Sequence, residues 1–280
     1  MREITKKIAY WFVPPGFQSF FSNIRLSQFF RDTNSIKRNI ELKNIHRNER
    51  CFILATGPSI KNQDLKLLKG ETCIAVSNFF VHPDYSIIKP KYYCVAPYHQ
   101  PITEEAWQKW MGELDKGTEN AKMFFGVSDI ERNQRNNNFV NRDVFYLNFR
   151  GSFEYFLVKG IDLTRAVPGP ASVPVMALEI ALYMGFSEIY LLGCDHDWIL
   201  HYGESRHMYD EKNHVLVREG YNEWENSKFE NELKANLNLW NQYKQIKMIA
   251  DRQNIKIFNA TNGGFLDVFS RIEYEALFDS

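Results

Sequence analysis

From Arg50 onward the chain alternates short apolar runs with longer stretches of helical period. Residues 51–55, 73–77, 92–96, 122–127, 144–147, 188–192 and 255–259 are rich in β-branched and aromatic side chains and are apolar on both faces. Strands buried between two layers have this pattern. Helices are predicted over 104–114, 173–184 and 227–253. In the second, Val173, Ala177, Ile180, Ala181 and Met184 recur at helical spacing. Pro174 falls in its first turn, where proline is tolerated, and Gly185 follows as a stop. Strand–helix alternation predicts an α/β fold, a single Rossmann-type, mostly parallel sheet flanked by helices. The Asn-rich stretch 133–141 reads as an exposed loop. Residues 196–226 are polar and aromatic without a period, and a stretch that long reads as a lid. The division is therefore an N-terminal extension, 1–46, and a catalytic domain, 47–280, carrying that lid.

Composition sharpens this picture. Hydrophobic residues at 44% and charged residues at 24% supply a sizeable core and exclude global disorder. The 34 basic and 34 acidic residues cancel, yet residues 1–50 hold ten Lys/Arg against four Asp/Glu. That segment is +6 and the remaining body −6. An acidic body repels phosphates, so no nucleic-acid role is expected. In the basic segment Tyr10, Trp11, Phe12, Phe17, Phe20, Phe21, Phe29 and Phe30 are interleaved with Lys6, Lys7, Arg25 and Arg31. Aromatic and basic residues together suit the surface of an anionic membrane. They equally suit an extension that packs on its own domain or on a second subunit, and a homo-oligomer is expected. The early apolar run 8–13 is too short to span a bilayer. Cys51, Cys73, Cys94 and Cys194 lie in or just after apolar runs with no CxxC pair, as reduced core thiols do. The expected address is cytoplasmic, at most peripheral on the inner face of a membrane.

Five polar turns follow strands or open a helix. Ala55-Thr56-Gly57-Pro58-Ser59 follows the first strand. Gly57 admits a ligand close to the backbone, and free N–H groups and the Ser59 hydroxyl suit a phosphate. The same letters also make a tight turn with a serine cap, and neither a Walker A loop nor GxGxxG is present. Ser77-Asn78 ends the second strand, placing an amide for a base or ribose, or forming a turn. Val167-Pro168-Gly169-Pro170-Ala171-Ser172 precedes a helix that Ser172 would cap. Gly193-Cys194-Asp195-His196-Asp197-Trp198 crowds polar groups at a strand's carboxyl end. Asp195 and Asp197 form an Asp-x-Asp pair able to take Mg²⁺ or Mn²⁺ if the chemistry is metal-dependent. His201, His207 and His214 follow with Tyr202, Arg206 and Tyr209, a set able to supply a general base and a phosphate ligand. Asn259-Ala260-Thr261-Asn262-Gly263-Gly264 closes the series.

A strand, then x-x-Gly-Pro-Ser, then an Asn-ended strand resembles the bacterial sialyltransferases of glycosyltransferase family 42. It equally resembles the wider group of Maf-like and 6-hydroxymethylpterin-diphosphokinase-like proteins, domain of unknown function 115. The run from Ser172 to Asp195 is similar to their helix–turn–strand ending in Gly-x-Asp, and Arg206-His207-Met208-Tyr209-Asp210 resembles the His-Phe-Tyr-Asp element of the second group. The likeness covers residues 50–265. It implies a GT-A-like sheet and an inverting, metal-independent transfer from a nucleotide sugar, a cytidine-monophosphate sugar being favoured, with no cofactor required. Carried over, Gly57, Pro58, Ser59 and Asn78 contact the nucleotide, and Ser172 is the helix-opening serine. The family's asparagine before Gly-Pro-Ser is Thr56 here, and His196-Asp197-Trp198 replace its tyrosines. By chemistry, His207 or His201 is the base, with Asp195 a further catalytic candidate. Thr56, His196, Asp197, Trp198, Arg206 and Tyr209 complete the binding set. The expected role is sugar transfer to a surface polysaccharide or lipooligosaccharide. An ATP- and Mg²⁺-dependent diphosphokinase and a non-catalytic pathway module are the alternatives.

Overall fold

The structure is a computed structural model that describes residues 34–118, 120–151, 153, 160–204, 206–210, 214–220 and 228–279. The aromatic, basic stretch proposed for membrane contact lies outside the described residues, as do parts of the lid. Among the described residues nine strands form one sheet: β1 Arg50–Leu54, β2 Cys73–Val76, β3 Tyr92–Cys94, β4 Lys122–Gly126, β5 Val144–Phe149, β6 Ala166–Val167, β7 Glu188–Leu192, β8 Lys256–Asn259 and β9 Ser270–Arg271. Their order is β6-β5-β4-β3-β2-β1-β7-β8-β9, and every pairing is parallel. Ile53 of β1 stands opposite Ile74 of β2 and Leu191 of β7. The expected parallel α/β sheet is thus present. The two-residue strands β6 and β9 were not predicted, because two residues carry no period.

Alternation along the strands divides the core into two layers. Cys51, Ile53, Ile74, Tyr92 and Cys94 face helices α2 (Val173–Met184) and α3 (Phe229–Arg252). Phe52, Leu54, Cys73, Ala75 and Tyr93 face helix α1 (Glu104–Gly117), whose Trp107, Trp110, Met111 and Leu114 are buried against them. The predicted α2 has its predicted bounds, Pro174 in its first turn and Gly185 as its left-handed stop. It is buried on every side, as expected for a helix apolar all round. One residue breaks that rule: Glu179 is fully buried with neither carboxyl oxygen partnered, so burial holds its carboxyl well above the usual range.

The end of the segment read as an extension packs onto this body. Asn39 donates to the carbonyls of Tyr146 and Leu163. His46 stacks on Phe186 with Nε2 2.7 Å from Tyr92 Oη. The stretch 133–141, read as an exposed loop, is turn from 136 onward and largely exposed, with two departures. Asn133 is buried within helix Ile130–Arg135, and Phe139 is buried against Phe125. The run of asparagines hid one core aromatic. No described helix is long and apolar enough to cross a membrane.

Candidate functional site

The chain lays β1 to β6 outward on one side, then returns to place β7 on the other side of β1. Strand order reverses between β1 and β7, and in open α/β sheets the ligand crevice lies beyond the carboxyl ends at such a point. The loops there belong to the first and fourth sequence motifs. Hydrogen bonding continues past both strands, from Ala55 N to Leu192 O (2.9 Å) and from Gly57 N to Gly193 O (3.0 Å).

Asp195 joins the two loops. Ser59 Oγ donates to its Oδ2 (2.8 Å) and Ser59 N–H to its Oδ1 (3.1 Å). The backbone of Gly57 is ordinary, and what demands glycine is space, because a Cβ would overlap the Asp195 carboxylate. Burial raises the Asp195 carboxyl, the two Ser59 bonds pull it down, and the nearby Asp197 charge pushes it up again; the net direction is upward. Both oxygens of this candidate catalytic group are engaged, so in this geometry it acts as a brace.

The loop after β8 lies beneath. Phe265 N donates to Asp195 O (2.7 Å) and Cys194 N to Thr261 Oγ1 (3.1 Å). Gly264 has a positive φ of 71°, and a Cβ there would strike the Asp195 backbone. Arg271 fastens this loop through the carbonyls of Gly263 (2.6 Å) and Gly264 (2.8 Å). Sequence reasoning missed Arg271, since no pattern marks a lone arginine in a two-residue edge strand.

His196 turns into the protein with φ of 50°. Its Nε2 lies 2.7 Å from Tyr243 Oη of α3, and Trp198 and Trp240 meet its ring edge-on. Burial lowers its pKa to about 3, so it is neutral. A polar group at this strand end is spent on packing after all. The neighbouring Gln242 accepts from Ala171 N (2.7 Å) and donates to Gly169 O (3.0 Å). Two consecutive residues of α3 therefore hold two of the predicted turns. Ser172 stands at the N-cap position of α2, but its buried hydroxyl caps no helix amide and lies toward the Tyr243 hydroxyl instead. The expected serine cap is corrected: proline in the first turn already removes one orphan donor.

The lid crosses above. Met208 N donates to Thr56 O (2.8 Å), and the Met208 side chain is buried. Flanking it, the rings of His207 and Tyr209 are 4.9 Å apart. Tyr209 meets His214 at 5.6 Å, and His214 meets Trp110 at 5.6 Å. Trp110 Nε1 donates to Asn78 Oδ1 (2.7 Å), which fixes the Asn78 amide with its NH₂ as the other group. His214 Nδ1 accepts from Leu216 N, and burial lowers its pKa to about 4. One run of rings thus links the lid to the end of β2. His201 is less integrated. It is one-third exposed, and its Nδ1 is 3.7 Å from Glu204 in its own turn.

Arg206 Nη1 lies 3.1 Å from Asp197 Oδ2. With Asp195 turned to Ser59 and Asp197 to Arg206, the Asp-x-Asp pair is not arranged as a cation clamp. Among the described residues no group of three or more His, Cys, Asp or Glu side chains is placed to hold a metal.

The sheet order and the meeting of loops at its reversal define an open, doubly wound α/β protein with polar loops gathered at the switch point, where such folds bind ligands. The same fold occurs in the sialyltransferase CstII from Campylobacter jejuni in complex with CMP-3FNeuAc. That match has a TM-score of 0.51 and 16% identity, over 83% of this chain and 88% of that one. CstII with a trisaccharide acceptor and CMP gives 0.48 and 14%, over 83% and 88%. A Maf glycosyltransferase from Magnetospirillum magneticum AMB-1 gives 0.49 and 14%, over 84% of this chain and 35% of that one. No protein-family model and no curated protein sequence matches the chain.

Proposed function

We propose that the protein is a glycosyltransferase that moves a sugar from a nucleotide-sugar donor, with a CMP-sugar favoured, to a polysaccharide or lipooligosaccharide acceptor. The observation that carries this reading is the brace of Ser59 on Asp195 at the sheet's switch point. It presents the Gly57-Pro58-Ser59 loop to the cleft and leaves no room for a side chain at Gly57. The shared fold with CstII, whose complex holds a CMP-sugar analogue, supports the same reading.

In this reading the loop packs against the nucleotide by its shape, since its Gly57 N–H is spent on Gly193 O and both Ser59 donors are spent on Asp195 rather than free for a phosphate, and the Asn78 NH₂ meets the base or ribose. His207 rather than His201 is the base, because it rides on the segment bonded to Thr56. It takes the proton as the acceptor oxygen bonds to the anomeric carbon, while the bond to phosphate breaks and the phosphate keeps the electron pair. Arg206 and Tyr209 flank His207 and stabilise that departing charge. Residues 1–45 would bring the enzyme to a lipid-linked acceptor, and a second copy of the chain is the expected partner.

The test is a panel of nucleotide sugars with CMP, UDP and ATP, each with and without EDTA, read by donor hydrolysis and thermal shift. Hydrolysis of one donor, with nucleotide binding that survives EDTA, is expected. ATP binding that requires Mg²⁺ would move the reading to the diphosphokinase-like class. Silence from every nucleotide would overturn both.

A further inference from the structure

Helix α3 is apolar on a side turned away from the core. Its buried residues, Leu239, Gln242, Tyr243, Ile246, Ile249 and Ala250, all lie in its later turns and share one face. No residue from Lys228 to Asn238 is buried, so the start of the helix projects past the core. A surface helix keeps its apolar stripe toward the core and is polar elsewhere. Here Phe229, Leu233 and Leu237 recur every four residues and are 47%, 45% and 63% exposed. At about 100° per residue, their stripe is centred roughly 140° round the helix from the buried face.

The turn Trp198–His201 widens the stripe. Trp198 and Trp240 both meet His196, and Tyr202 meets Phe229 at 5.3 Å. The turn therefore runs alongside α3, with the exposed Leu200 between these two anchors. Five large apolar side chains form one patch, an area on the order of 500 Å², the size at which exposed patches mark interaction sites.

We propose that this patch is the contact between two copies of the chain, their α3 helices antiparallel across a two-fold axis at Leu233. The stripe is its own complement in that arrangement, as a two-fold contact requires. Leu233 meets Leu233, and Phe229 of each copy meets Leu237 of the other. Glu230 and Lys234 pair within one copy and so lie on one flank of the stripe; the antiparallel register brings Glu230 of each copy beside Lys234 of the other. Steps of four residues also make the stripe a ridge of the kind that packs into the groove of a second helix. Two joined patches bury on the order of 1,000 Å², about the size a specific interface must reach. A bilayer is the poorer occupant. The two segments forming the patch, 198–204 and 228–238, hold Glu204, Glu230 and Glu232 against Lys228 and Lys234, so no excess positive charge draws anionic lipid. The proposal gives the expected second copy a surface and does not rest on the sugar-transfer reading.

Sedimentation of the full chain over a range of concentrations tests it, and a reversible dimer is expected. Leu233→Lys sets two like charges on the axis and should raise the dimer dissociation constant by at least about 100-fold, as loss of a central anchor does. Its circular dichroism spectrum should match the parent's, since no core contact is lost. Glu230→Lys and Lys234→Glu should each weaken the dimer, and the two together should restore it. On oxidation Leu233→Cys should give a disulfide-linked dimer and Asn231→Cys, on the far side of the helix, should not; the four native cysteines are buried. A parent that is monomeric at every concentration, a dimer untouched by Leu233→Lys, or cross-linking no better at 233 than at 231 would overturn the proposal. So would a monomer whose binding to anionic vesicles is lost in Leu233→Lys, which would give the patch to lipid.

Discussion

Asp195 grips Ser59 with both carboxylate oxygens, and so fastens the loop after β1 to the loop after β7. Asp195→Ala should strand the Ser59 N–H and hydroxyl and cost about 1–3 kcal/mol, the usual penalty for orphaned buried groups. Asp195→Asn keeps one acceptor and should cost less. Urea denaturation orders the two variants, and equal losses would show that the carboxylate is not the brace.

Gly57→Ala should fail for a different reason. Its backbone angles suit any residue, so the cost is collision with the Asp195 carboxylate and with the Gly193 carbonyl oxygen. Overpacking of this kind costs about 1–3 kcal/mol. Combined with Asp195→Ala the penalty should shrink in part, because the carboxylate is gone while the Gly193 carbonyl remains. A double-mutant cycle reads that coupling.

His196 gives a pH signature. Its folded pKa of about 3 lies below the ordinary value of 6.5. Between those values the unfolded chain binds the proton and the folded chain does not. Its contribution is therefore whole above pH 6.5 and is lost as pH falls toward 3. The linked slope is about 1.4 kcal/mol per pH unit. In His196→Gln, whose side chain is uncharged throughout, the stability difference from the parent should drift by that slope between pH 6 and pH 4.

Glu179 should be a site of gain. Its carboxyl is buried on α2 without a partner. Glu179→Met conserves volume and removes the orphan, so stability at neutral pH should rise by about 1–3 kcal/mol. The gain should narrow in acid, where protonation comes free in both states. Thermal melts at two pH values check this.

His207 and His201 separate by kinetics once a donor is found. His207→Ala should lower kcat by about 10²- to 10⁴-fold, the range for a lost general base. Nucleotide affinity should stay near that of the parent. His201→Ala, whose ring is paired with Glu204 in its own turn, should change kcat far less. The reverse order would exchange their roles.

The sheet was legible because its strands are buried on both faces, so local composition alone marks them, and α2 is bracketed by Pro174 and Gly185. What stayed hidden depends on neighbours distant in sequence. Ser59 and Asp195 are 136 positions apart, and His196 and Tyr243 are 47 apart. Asp195 and His196 read equally as cleft residues until the fold gave one a serine and the other a tyrosine. Phe139 was masked by its polar company. Arg271 carried no local sign at all.

Gln242 and Tyr243 occupy the same turn of α3, one holding the loop before α2 and the other holding His196. Two walls of the cleft thus hang from a common shaft. They cannot drift apart by small independent motions, and an axial slip of α3 would carry both. Whatever fills the cleft must therefore meet a mouth of nearly constant width on that side, and adjustment to ligands of different size falls to the lid and the β8 loop.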